Sequence, residues 1–344
     1  MRRCKRTLVA AALAAGMITG TAGWASGNAQ QPVTGAPPGA AEWRADRSLG
    51  RALPDPERAR PADIAAFFRT IGAGERDRLA RRHPLIVGNL DGAPAALRYR
   101  ANALAVRGTP FARLAEPGRR ILAFDPRGRG QVAQVYGDLE RARRVAVIVP
   151  GADIDAGTFD RRNNRRGTLA GMAESLRAAT GDRTAVIAWA GYTTPVGIGP
   201  DAAGGTLAEA GAVRLARFTR GLTATGKAAP ALFCHSYGSV VCGLAAKKAD
   251  ASEIVALGSP GMRADSAADL GTSARVWAAR HPSDWISKVP NVELLGLGHG
   301  NDPADPAFGA RRVPTGGAGG HTGYFAPGSE SLRVFAAIAA GDAK

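Results

Sequence analysis

The sequence predicts an α/β protein with a mostly parallel central sheet flanked by helices, and three observations carry that prediction. From about residue 145 onward, short continuous apolar runs alternate with longer segments of helical spacing. Runs that are apolar at every position fit strands buried on both faces of a parallel sheet. A strand-turn-strand unit precedes these runs, and a turn centred on a serine follows the third of them.

In chain order, Met1-Arg-Arg-Cys-Lys-Arg6 is basic, Leu8 to Ala22 is apolar, and Gly23-Trp-Ala25 places small residues at cleavage-type positions. Residues 1–25 therefore read as a secretory signal peptide. Its apolar core is shorter than the ~20 residues needed to span a bilayer, and no later run is long enough, so no transmembrane segment is expected after cleavage. Cys4 lacks the small-residue context of a lipid-attachment site. Residues 26–42, rich in Gln, Pro, Gly and Ala, are expected to form a disordered lead-in.

A helical N-terminal region is expected over residues 43–115. Ile64, Phe67, Phe68, Ile71 and Leu79 have helical spacing from Pro61 to Arg82, with a break at Gly72-Ala-Gly74, and a second helix spans Ala95 to Val106. The main domain is expected over 116–344. Ile121 to Phe124 and Gln131 to Tyr136 flank the turn Asp125-Pro-Arg-Gly-Arg-Gly130. The buried runs that follow are Val145 to Val149, Ala185 to Trp189, Ala231 to Cys234, Ile254 to Leu257 and Val276 to Ala279. Leu169 to Ala179, Leu207 to Thr223, Ser239 to Lys248 and Ser331 to Ala340 read as helices.

Net charge is +16, carried almost wholly by arginine. The arginines are scattered, without the aromatic-basic interleaving or motifs of a nucleic-acid binder, so no specific nucleic-acid partner is expected. Such a chain would be drawn electrostatically to an anionic cell envelope. Once a signal peptide is removed, Cys234 and Cys242 are the only cysteines left, an even number in a compartment that permits disulfides. They lie on a strand end and the following helix, where pairing and two buried thiols both fit.

Ala231-Leu-Phe-Cys-His-Ser-Tyr-Gly-Ser239 is a buried strand entering a sharp turn with Ser236 at its apex. This is the pattern of a nucleophile elbow, usually Gly-x-Ser-x-Gly, with Cys234 where the first glycine stands. An antiparallel hairpin followed by strand-helix alternation, with the elbow on the third run after the hairpin, is the order of an α/β-hydrolase. In that order the acid and then the base follow the serine. Asp284, after the run at Val276, is the expected acid, with Asp302 in reserve. His321, in the glycine-rich loop before the last helix, is the expected base over His299, while His281 precedes the acid. The oxyanion hole is assigned to the backbone N–H groups of Tyr237 and Ala152, with Asp153 as the alternative to Ala152. Asp153, Asp155 and Asp160 read as a solvated acidic loop. His281-x-x-Asp284 and His299-x-x-Asp302 lack a third ligand, and the sequence points to no metal and no cofactor.

Several strings together resemble an actinobacterial family of α/β-hydrolases catalogued as a domain of unknown function. They are Gly88-Asn-Leu-Asp-Gly-Ala-Pro94, Arg100-Ala-Asn102, Val149-Pro-Gly151, Ala188-Trp-Ala-Gly-Tyr192 with Thr194-Pro195, His235-Ser-Tyr-Gly-Ser239, Gly258-Ser-Pro-Gly261, Phe308-Gly-Ala-Arg311 and the His321 loop. The resemblance implies the hydrolase fold, a Ser-Asp-His triad of Ser236, Asp284 and His321, and a helical N-terminal extension, but no substrate. The expectation is a secreted or envelope-associated serine hydrolase acting on a small-molecule or envelope-derived ester, with short or medium acyl esters turned over faster than aminoacyl amides. The alternatives are a non-catalytic envelope-binding protein on the same scaffold and a serine peptidase or amidase.

Overall fold

A computed structural model describes residues 29–161, 167–294 and 296–343. The expected signal peptide lies outside the described residues.

The described residues form an eight-stranded sheet in the order β1-β2-β4-β3-β5-β6-β7-β10. The strands are β1 (Ile121–Asp125), β2 (Gln131–Tyr136), β3 (Arg144–Val149), β4 (Thr184–Ala190), β5 (Ala231–His235), β6 (Glu253–Leu257), β7 (Arg275–Ala279) and β10 (Arg311–Arg312). A separate short hairpin pairs β8 (Glu293–Leu294) with β9 (Leu297–Gly298). Strand β2 runs antiparallel to β1 and β4, and every other pairing in the large sheet is parallel. The continuous apolar runs are buried along β4, β5 and β6, as strands covered on both faces must be.

The N-terminal helices are α1 (Ala40–Ala45), α2 (Pro61–Thr70), α3 (Ala73–Arg82), α4 (Pro84–Asn89) and α5 (Ala95–Ala105). The remaining helices are α6 (Leu169–Thr180), α7 (Pro200–Ala203), α8 (Thr206–Ala224), α9 (Gly238–Ala245) and α10 (Glu330–Ala340). Leu207, Leu215 and Phe218 of α8 join Val240, Val241 and Cys242 of α9 in one core layer. Leu176 of α6 and Phe335 of α10 belong to the layer on the other face of the sheet. Trp43, Ile64, Phe68, Leu79 and Leu97 make a third cluster among the N-terminal helices. That cluster is joined to the body by Arg217 of α8, which donates to the carbonyls of Pro56 and Ala59.

Residues 29–42 are not a disordered lead-in. The Gln30 and Val33 amides donate to Asp201 Oδ2 and Thr193 Oγ1, Ala36 donates to Glu57 Oε1, and helix α1 carries the fully buried Trp43. A segment with few apolar residues is ordered here because its polar backbone finds partners on a preformed surface. The helix expected over Ser239 to Lys248 ends earlier, at Ala245.

Parallel register brings Val149, Cys234 and Ala256 level, and then His235, Leu257 and Ala279. The loops leaving β3, β5, β6 and β7 therefore emerge side by side at one edge. Helix α5 is fixed to β1 by Asn102, fully buried, whose Nδ2 donates to the carbonyls of Gly88 and Ile121 at 3.0 Å each. Asn102→Ala would strand both carbonyls, and we expect it to lower unfolding stability by about 1–3 kcal/mol, read as a shift in the urea midpoint.

Candidate active site

Ser236 stands between β5 and α9 with φ +55°, a left-handed conformation that a non-glycine residue adopts only where its surroundings impose it. Its amide donates to Leu257 O at 2.9 Å, extending the β5–β6 pairing into the turn. Ser239, fully buried, closes the turn by donating from Oγ to Ser236 O at 2.6 Å. From Leu232 to Val241, Ser236 is the one residue that is not buried.

The turn fits only because its neighbours are small. A Cβ on Gly238 would lie 2.5 Å from Val149 O, and one on Gly151 would lie 2.6 Å from Ser236 Cβ. Cys234, in the place of the usual first glycine, is bonded to Cys242 of α9, with Cα atoms 6.3 Å apart. Its side chain therefore points into the strand-helix interface rather than into the turn. The disulfide ties the end of β5 to the helix that leaves the elbow.

Asp284 follows β7 with its side chain wholly buried, and His321 reaches it from the loop before α10. His321 Nδ1 lies 2.9 and 3.1 Å from Asp284 Oδ1 and Oδ2. A carboxylate only accepts, so Nδ1 carries the proton and Nε2 presents a lone pair. Tyr324 Oη donates to Asp284 Oδ2 at 2.6 Å, and the Ile286 amide donates to Oδ1 at 2.9 Å. Burial pushes the Asp284 carboxyl up, but the bonds from His321, Tyr324 and Ile286 outweigh it and hold the group below the usual carboxylate range. The Tyr324 phenol is raised by burial and by its bond to that carboxylate. Gly258, with φ +55°, makes room for the pair: a Cβ there would sit 2.8 Å from Asp284 Oδ2 and 3.1 Å from His321 Nδ1.

His235, the residue before Ser236, holds His321 in place. Its Nε2 lies 2.7 Å from the His321 carbonyl, so Nε2 carries the donated proton, and the two rings have centroids 4.7 Å apart. The His321 ring also packs on Trp285, with centroids 4.8 Å apart. Burial, and then the neighbouring His321, lower the His235 imidazole to about 4.

The Asp153 amide is committed to Pro195 O at 2.8 Å, which removes it as the alternative oxyanion donor. Neither the Ala152 nor the Tyr237 amide donates to another described residue. Tyr237 is anchored through its ring, donating from Oη to Gly204 O and accepting from the Ala208 amide. His299 lies apart from Asp284. It donates from Nε2 to Ala202 O at 2.7 Å and packs against the Tyr237 ring. Asp302 is paired with Arg280, and His281 Nδ1 bonds Ser283. The acidic loop is not merely solvated, since Asp155 pairs with Arg129 and Asp160 with Arg113 and Arg119. Among the described residues, no group of three His, Cys, Asp or Glu side chains is placed to hold a metal ion. Clefts of about 470 Å³ lie between α6 and α10 and beside α2, away from Ser236.

The structure thus brings Asp284 and His321 together and sets His321 beside the residue preceding Ser236. Sequence reasoning missed His235, Tyr324 and Trp285. The spacing Asp284-Trp285 and His321-x-x-Tyr324 was the only trace of the last two.

Residues 125–294 match a family model described as alpha/beta hydrolase. The chain is 28% identical over 373 aligned positions to uncharacterized proteins of two Mycobacterium tuberculosis strains, CDC 1551 and H37Rv. The match covers 84% of this chain and 57% of those relatives, so the chain spans little more than half their length. No solved structure matches the chain significantly. The fold is that of the α/β hydrolases, and the actinobacterial resemblance extends to these mycobacterial proteins.

Replacing Cys234 and Cys242 together by alanine opens a loop of eight residues' separation. We expect a loss of about 2–3 kcal/mol of unfolding stability, measured by urea denaturation under non-reducing conditions. His235 supplies a pH test. An unfolded histidine titrates near 6.5, so between there and its folded value of about 4 the unfolded state binds more protons. Stability is therefore full above the unfolded value and falls as pH drops toward the folded one. From about pH 7 to about pH 5 this group should remove about 2 kcal/mol, and the His235→Gln variant should lose correspondingly less over that interval.

Proposed function

We propose that this α/β hydrolase is an exported serine hydrolase that cleaves carboxylic esters through an acyl-enzyme on Ser236. The observation that carries the reading is the buried Tyr324–Asp284–His321 hydrogen-bonded chain, held beside the elbow by the His235 bond to the His321 carbonyl. In this reading His321 Nε2 takes the Ser236 Oγ proton as Oγ attacks the ester carbonyl carbon. The N–H groups of Tyr237 and Ala152 receive the oxyanion, a contribution worth about 3 kcal/mol for each donor. Collapse breaks the bond to the alkoxy oxygen, to which His321 returns the proton. Water then attacks the acyl-enzyme by the same route, releasing the acid and restoring Ser236. Asp284 stays ionised throughout and keeps the proton on Nδ1 when the ring is neutral.

Export is supported by the basic-apolar start of the sequence and by the Cys234–Cys242 disulfide, since such bonds persist in oxidising compartments. The net charge of +16 supports a loose, salt-sensitive association with an anionic envelope.

A fluorophosphonate probe should label Ser236, and Ser236→Ala should abolish labelling. His321→Ala should slow labelling by about 10³-fold or more, whereas His299→Ala should have a far smaller effect. If His299→Ala alone abolishes labelling, the base is misassigned; if the folded wild-type protein never labels, it is not a serine hydrolase.

A further inference from the structure

Among the described residues seven large apolar side chains are exposed: Val196, Ile198, Val213, Trp285, Val292, Leu294 and Leu297. All but Val213, on α8, lie on loops leaving β4 and β7, at the sheet edge that carries Ser236. Scattered exposed apolar residues are ordinary, but a concentration at one mouth marks a binding surface.

These loops are fastened to the residues that frame the elbow. Gly197, between Val196 and Ile198, donates its amide to Asp153 Oδ1 at 2.9 Å, next to the proposed oxyanion donor Ala152. Leu297 is bridged to Gly204, whose carbonyl accepts from Tyr237 Oη. Arg263 holds the β8–β9 hairpin, donating to Gly296 O at 2.8 Å and pairing with Glu293. Three acidic groups of this rim are used internally, and the exposed Lys288 stands on the β7 loop, on the side of Trp285. Asp153 accepts from Gly197, Asp201 from Gln30, and Glu293 from Arg263. What the Ile198 and Leu297 side of the rim offers a substrate is hydrocarbon.

We propose that the site takes esters with a long aliphatic acyl chain, and that the chain lies along Ile198 and Leu297. This rests on the serine-hydrolase reading and deepens it. The direction follows from the chemistry: His321 must return its proton to the leaving oxygen, so the alcohol portion lies on the side of His321 and Trp285. The acyl portion then extends from the oxyanion donors toward Ile198, and Leu297 is bridged to Gly204, six residues after Ile198. Each buried methylene strengthens binding, and contact made in the transition state raises kcat/KM. Among esters, the preference is therefore for long acyl chains over short ones.

The test compares p-nitrophenyl butanoate with the decanoate, each as free monomer below its aggregation point. For the wild type, kcat/KM should be at least about tenfold higher for the decanoate. In an Ile198→Ser/Leu297→Ser double variant that ratio should fall to near one, whereas Val213→Ser should keep it. Fluorophosphonate labelling of each protein is measured alongside. Wild-type labelling at Ser236 with a flat chain-length profile overturns the acyl-chain inference and leaves the hydrolase reading standing. A ratio that the double variant retains, or that rises only above the aggregation point, also overturns it. Absence of labelling overturns both.

Discussion

The site depends on one close approach: the end of β3 packs against the turn that follows β5. Carbonyls of Val149 and Pro150 would stand 2.5 and 2.6 Å from any Cβ at position 238, and Gly151 lies equally tight on Ser236. Chain that close to chain leaves the serine nowhere to relax, which is how a residue at φ +55° persists. The Ser236 amide bond to Leu257 and the Cys234–Cys242 disulfide hold the turn from the β6 and α9 sides. The glycine missing from the usual elbow is thus replaced by a covalent tie, and the cysteine side chain is accommodated because it leaves the turn for the helix.

A second constraint is electrostatic. Asp284 sits in an interior that disfavours charge, yet three donors converge on its carboxylate and keep it ionised. His235 is the converse case, an imidazole that burial keeps neutral and that spends its one N–H on the carbonyl of the proposed base. A neutral histidine there fixes His321 without placing a second positive charge against the one that would form on it during proton transfer. Gly258 leaves the space in which Asp284 and His321 meet.

Much of this was legible in the chain because the constraints are local or ordered. Continuous apolar runs gave the strands, and the order Ser, Asp, His selected Asp284 and His321 without any contact information. His235 was not legible as a positioning residue, because its partner lies 86 positions away and only the fold brings them within 2.7 Å. Nor was the choice between Ala152 and Asp153, which turns on the Asp153 amide meeting Pro195 across two loops. Composition misread residues 29–42, since it weighs what a segment can bury and not the acceptors, such as Asp201 and Thr193, that await its backbone. The rim was hidden for the opposite reason: Ile198 and Leu297 read like any core residue until their exposure is known.

The proposed chemistry rests on Ser236 carrying the acyl group. The most direct measurement is an acid quench during turnover of p-nitrophenyl acetate, followed by peptide mass mapping. An acetyl group on the peptide containing Ser236, with no adduct and no turnover in Ser236→Ala, is the predicted result. Hydrolysis by Ser236→Ala at the wild-type rate would contradict it.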